Sequence, residues 1–180
     1  MVLPPLLPPD LDARCSRHLT WRQLLECGET WQRLASEGRA VHNLPQEPET
    51  WAGLLALATH LLDPLQDALG PIQLTYAFAG PALTRHIHGR IAPSLDQHAG
   101  SERRRSGQPI CPRLGQAVDL QVAGRTADEV AEYIIANLPF DRLYFYGPDR
   151  PLHVSYGPQH SRSAWRMVAL ADGRLMPRGW

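Results

Sequence analysis

An α+β fold is what this sequence predicts, on three observations. Two stretches before residue 70 carry apolar residues at helical spacing. Short runs after residue 72 alternate apolar and polar residues. One further capped helical stretch lies among those runs. At 180 residues the chain is one domain by size, with enough length for a real core.

Met1–Ala13 holds two Pro pairs, which exclude regular helix, so residues 1–16 read as an extended Pro-rich arm ahead of a domain over residues 17–180. Thr20 with Gln23 makes a capping box. Trp21, Leu24, Leu25, Trp31, Leu34 and Ala35 mark one face of the helix it opens, and Gly38 suits its end. A second helix is expected from Thr50 to Leu69, with Pro64 kinking it. Ile72, Leu74, Tyr76 and Phe78 alternate as in a strand, and Pro81–Ile87 reads as a short helix. Ile91–Leu114 has no period and an excess of Pro, Gly, Ser and Arg, which reads as loop. Thr126 and Glu129 box a helix carrying Val130, Tyr133, Ile134 and Leu138. Arg142–Tyr146 and Leu152–Tyr156 are strands joined by a Gly147-Pro148-Asp149 turn, and Asp172-Gly173 signals a hairpin.

Two of the strand-like runs carry metal-type ligands opposite their apolar residues. Val118, Leu120 and Val122 alternate with Asp119 and Gln121; Leu152, Val154 and Tyr156 alternate with His153 and Ser155. With His98 these make a His, a carboxylate and a second His, a donor set suited to catalytic zinc. The plain reading of any one of them is a structural hydrogen bond.

The words around the trio resemble the zinc D-Ala-D-Ala carboxypeptidases of the Hedgehog/DD-peptidase superfamily. That family carries S-x-H-x-x-G-x-A-x-D and a later I-H-V-S segment, matched by Leu95–Gly100, Gly115–Asp119 and Leu152–Tyr156. Similar too are His18–Leu24, Asn43-Leu44-Pro45, Leu62–Gln66 and Asn137–Leu143, so the likeness spans roughly Arg17 to Ser161. It implies N-terminal helices packed on a small, mostly antiparallel sheet, a Zn2+ held by His98, Asp119 and His153, and hydrolysis of a short peptide or amide by activated water, as in peptidoglycan stems.

The departures from the family are specific. His98 and Asp119 stand 119 − 98 = 21 positions apart, so Ser101–Leu114 splits the motif as an insertion. The family's S-G-Y-R turn aligns with Tyr76-Ala77-Phe78-Ala79, which lacks the Arg that grips a substrate carboxylate. The family's catalytic Glu falls near Tyr146 or Arg150, leaving Asp149 and Tyr146 as the candidates for proton transfer. Turn capping is the plain reading of that Asp, and packing that of the Tyr. Arg103, Arg104 and Arg105 read either as a solvated loop or as a replacement grip on an anionic group, with the insertion as a mobile lid over the cleft. His160 and Arg162 are candidates for the cleft wall; the His86/His88 pair and Cys111 are minor candidates as ligands.

Charge is balanced, 18 basic against 18 acidic residues, which gives no footprint for nucleic acid or an anionic membrane. No apolar run is long enough to span a bilayer, and the N-terminus lacks the basic region of a secretory signal, so a cytoplasmic location is expected. Three widely spaced cysteines, Cys15, Cys27 and Cys111, suggest free thiols. Three functions fit the residues: a zinc hydrolase of the carboxypeptidase type, a repurposed zinc enzyme of a biosynthetic pathway acting on another amino-acid-like substrate, and a non-catalytic zinc-containing binding module.

Overall fold

The computed structural model describes residues 10–88 and 91–180. It is α+β, with helices α1 Trp21–Leu25, α2 Glu29–Ser36, α3 Pro48–Leu57, α4 Asp63–Leu69, α5 Pro81–Thr84 and α6 Ala127–Asn137. The strands are β1 Ile72–Tyr76, β2 Gln116–Val122, β3 Arg142–Phe145, β4 Leu152–Tyr156, β5 Ser163–Ala169 and β6 Leu175–Gly179. They form one six-stranded mixed sheet in the order β1-β2-β4-β3-β5-β6, antiparallel throughout except between β3 and β5. Among the described residues no helix is long and apolar enough to cross a membrane. The three cysteines are free.

The expected first helix is two. Thr20 and Gln23 cap α1 as a box, but the chain leaves the helix at Glu26 and re-enters from Gly28 in extended conformation. A Cβ there would stand 3.1 Å from the Tyr76 ring, a tight contact that glycine avoids. The break sends Leu24 and Leu25 into the main core and Leu34 into a second cluster with Ala79 and Leu83. The long helix is also divided. Pro48 opens α3 at its first position, where a missing N–H costs nothing. A π-turn over Ala58–Leu62 then precedes Pro64, with the Asp63 N–H bonded to Ala58 O. This wider turn accommodates a proline that a continuous α-helix would have to bend around. Of the expected arm, residues 1–9 lie outside the described residues. Asp10–Ala13 is a turn, and Leu11 and Cys15 pack on the core.

Leu54, Leu57, Leu61, Leu62 and Leu65 from the α3–α4 rod meet Val118, Leu120, Leu143, Leu152 and Val154 from the sheet, with Val130 and Ile134 of α6. One sheet face is therefore sealed by helices, and the other is left for polar residues. Strand β1 departs from its expected alternation. Its register with β2 shifts between Leu74 and Tyr76, a bulge that turns Tyr76 away from the face of Ile72 and Leu74 and sets it opposite Asp119. Phe78, expected in the same strand, instead donates its N–H to Leu24 O.

Both glycines of the split motif are structural. Gly100 has φ +59, and a Cβ there would meet Thr50 Cγ2 at 2.6 Å. Gly115 has φ +72, and its Cβ would run into the backbone of Tyr156 and Gly157. Gly115→Ala should lower stability by about 1–3 kcal/mol from backbone strain alone, and more once the strands are pushed apart. Urea unfolding checks it, with Gly173→Ala in the exposed β5–β6 turn as a milder reference.

Candidate metal centre

A single row of side chains crosses the open face of the sheet. Tyr76 of β1 pairs with Asp119 of β2, Asp119 with His153 of β4, and His153 with Tyr144 of β3. Period-two alternation puts Asp119, His153 and Tyr144 on the face opposite the core, and the β1 bulge adds Tyr76. His98 is delivered by a short 3-10 turn, Gln97–Ala99, capped by Asp96, whose Oδ1 accepts from the His98 N–H at 3.1 Å. Its ring lies over Tyr76 with centroids 4.4 Å apart.

The trio converges. His153 Nδ1 stands 2.8 Å and His98 Nε2 3.4 Å from the same oxygen, Asp119 Oδ1. One ligand atom from each residue lies within 4.8 Å of the others. Donors around one small metal ion stand roughly 3 Å apart, so the group could hold such an ion. His98 Nδ1 lies 2.8 Å from Ala77 O, and donation to that carbonyl leaves Nε2 to face the centre. Burial alone would raise the Asp119 carboxyl, but the imidazoles of His98 and His153 hold it well below the usual carboxylate range. Burial alone would lower His98, and the Asp119 charge reverses this and pushes it up. A His–Asp–His group able to hold a metal ion is thus present; no other such group occurs among the described residues.

The trio lines a cleft of about 740 Å³. Its side chains are 6 %, 30 % and 12 % exposed for His98, Asp119 and His153, so the carboxylate is the most open of the three. Tyr146 lines this cleft, as do His86 and His88, which leave α5 after Thr84 and turn toward it. Burial, then the Asp119 charge, pushes the Tyr146 phenol up.

Several expected site residues stand elsewhere. Asp149 is exposed in the β3–β4 turn and faces a separate groove lined by Pro71, Gln121 and Arg125. His160 lies at the other end of β4, edge-on to Tyr156, which also stacks on His60. Arg162 donates to Ile135 O and Leu138 O, closing the end of α6. Cys111 is buried with its Sγ 3.5 Å from Ser94 O, and burial pushes its thiol up, away from thiolate chemistry.

The insertion corrects the expectation of a mobile lid. Glu102 is 2 % exposed; its Oε1 accepts from the N–H groups of Gln46 and Glu47 and from the Thr50 hydroxyl at the start of α3. Residues 102–110 close on themselves, with Ile110 N–H on Glu102 O and Arg104 N–H on Gln108 O. Arg103, Arg104 and Arg105 sit exposed on this excursion, Arg103 paired with Glu47, and none lines the cleft. The composition suggested mobility; the buried carboxylate anchors the segment instead. Gln97 ties its two ends, donating through Nε2 to Leu114 O and to Asp141 Oδ2.

Cleft residues that sequence reasoning missed are Glu29, Asp96, Arg113 and Tyr144. Tyr144 was readable: it alternates with Leu143 and Phe145 as His153 does with Leu152 and Val154. Arg113 was hidden beside the more conspicuous triple arginine. Comparison of the chain with protein-family models, with curated proteins and with solved structures finds no match in any of the three.

Glu102→Ala would leave three donors unanswered, the Thr50 hydroxyl among them buried, a loss of about 1–3 kcal/mol. Trypsin should then cut after Arg103, Arg104 or Arg105 much faster than in the unaltered protein, while Glu102→Gln, which keeps an acceptor, should resist. Mass mapping of the fragments reads this directly.

Proposed function

We propose that the protein is a zinc-dependent hydrolase acting on a peptide or amide bond, a relative in chemistry and fold of the D-Ala-D-Ala carboxypeptidases it resembles. The observation that carries this is the convergence of two imidazole nitrogens and one carboxylate oxygen at the floor of an open cleft. Zinc there would supply a Lewis acid that polarises a carbonyl and activates water. His98 is held by Ala77 O so that Nε2 faces the centre, and Asp119 stays ionised between the two rings. Tyr146, a cleft residue whose phenol is pushed up by burial and by the Asp119 charge, would donate a hydrogen bond to an oxygen gaining negative charge. Of the cleft carboxylates besides Asp119, Asp96 is engaged with the His98 N–H, so Glu29 on α2 is the candidate for proton transfer.

A second reading keeps the metal and the hydrolysis but changes the substrate. What favours it is Ala79, in the position of the family's carboxylate-gripping Arg. It is 1 % exposed, with its N–H on His98 O, so no long side chain fits there without rebuilding the turn.

Protein purified without added metal should carry one zinc per chain by elemental analysis, and Asp119→Ala and His153→Ala should each lose it. Full zinc content in both variants would end this reading. Hydrolysis of free D-Ala-D-Ala should be weak. A charge-assisted contact to a carboxylate is worth roughly 1.5–3 kcal/mol, so its absence costs about ten- to hundredfold in kcat/KM. Turnover at the rate of an ordinary carboxypeptidase would favour the first substrate over the second.

A further inference from the structure

We infer that Arg113, assisted by Arg150, forms an oxyanion subsite beside the His98–Asp119–His153 centre, so that the molecule this cleft takes carries a carboxylate or phosphate. The inference deepens the hydrolase reading above and rests on it for what lies next to the subsite.

The first argument is an unanswered charge. Arg113 is half-buried and lines the cleft, yet among the described residues no carboxylate pairs with it. Its Nη1 donates to Leu95 O at 3.1 Å and lies 3.4 Å from the Tyr144 hydroxyl. Among the described residues its Nε and Nη2 donors have no partner, although a guanidinium offers five N–H groups in a rigid fork. Arg17, Arg22, Arg33 and Arg142 meet acids, and arginines without one among the described residues, such as Arg104, Arg105 and Arg125, stand exposed to solvent outside this cleft. Arg150 reaches the same cleft from the β3–β4 turn and likewise has no acid partner. Two guanidiniums kept from carboxylates beside a candidate metal site have a use for an anion that arrives in solution.

The second argument is preorganisation. Arg113 is pinned on both sides. Cys111 is buried against Ser94 O, and Leu114 O accepts from Gln97 Nε2. Leu114 itself is held at φ +56, a conformation branched side chains avoid. The turn, anchored by buried Cys111, thus fixes the direction in which the Arg113 stem leaves the backbone before any ligand binds, which lowers the ordering cost of binding. Tyr144 connects the subsite to the centre, its ring 5.4 Å from that of His153.

The test is an NMR titration of the full chain with inorganic phosphate and, separately, with N-acetylglycine, following arginine Nε–H resonances, with zinc content measured on each sample. Expected is a saturable shift of the Arg113 signal, and affinity about tenfold or more weaker in Arg113→Gln. Arg113→Lys should lie between, and Arg125→Gln, in the other groove, should bind as the unaltered protein does. Tighter binding of phosphate or of the carboxylate identifies which oxyanion the subsite prefers. Equal affinity in Arg113→Gln, or an equal loss in Arg125→Gln, overturns the inference. If zinc is present and Arg113 does not respond, the subsite fails and the metal reading stands. If Arg113 responds in protein that never holds zinc, the hydrolase reading fails and the subsite stands.

Discussion

Asp119 Oδ1 faces the nitrogens of two imidazoles, and this shared oxygen requires β2 and β4 to keep a single register. Asp119 lies directly across from His153, between the buried pairs Val118–Val154 and Leu120–Leu152. A slip of one residue would turn the slipped strand over, carrying its Asp119 or His153 into the helix-packed core and its apolar residues outward. Ionisable groups without partners in that core would cost several kcal/mol each. The hydrophobic pairs that hold the helices to the sheet therefore also fix the centre. Core and site are the two faces of one strand pairing.

The third ligand depends on a different constraint. His98 sits on a turn, and turns are positioned by hydrogen bonds more than by packing. Asp96 holds its N–H, Ala77 its ring and Gln116 its carbonyl. Gln97 beside it reaches Asp141 and Ser155, which lie at the β3 and β4 ends of a buried polar network. That network explains how fourteen residues can divide the motif without moving it. Gln97 and Leu114 are in contact, so Ser101–Leu114 leaves and returns at nearly one point. Loop closure of that kind adds little entropy cost per added residue. Glu102 offsets it by satisfying the start of α3.

The parts of the fold legible in the sequence were those with a local cause. Two capping boxes, at Thr20 and at Thr126, form as their spacing implies. The alternation of Asp119 and His153 against apolar neighbours placed both on one face. What the alternation could not show was a bulge. Tyr76 has the spacing of a core residue and lies on the cleft side because one extra residue, Thr75, is inserted opposite Asp119 and donates its hydroxyl to Asp119 O. The break at Gly28 was hidden for a similar reason, since it lies against the Tyr76 ring, a tertiary neighbour that no local window contains. The triple arginine drew attention by composition, while Arg113, ten residues past Arg103 and unremarkable in sequence, is the one the chain folds into the cleft.

The candidate centre need not be a folding element. In small zinc modules the ion supplies the folding energy, because the unliganded donors repel or remain unpaired. Here each donor has a partner already. His98 is held by a carbonyl, His153 by Asp119, and Asp119 by both rings. The apolar face opposite buries its leucines and valines against three helices without reference to the centre. Binding energy from a metal held there would go to fixing the ion's geometry instead of to ordering the chain. A sheet that is rigid on its core side and polar on its other side is suited to this, because the ligands inherit the stiffness of the pairing that carries them.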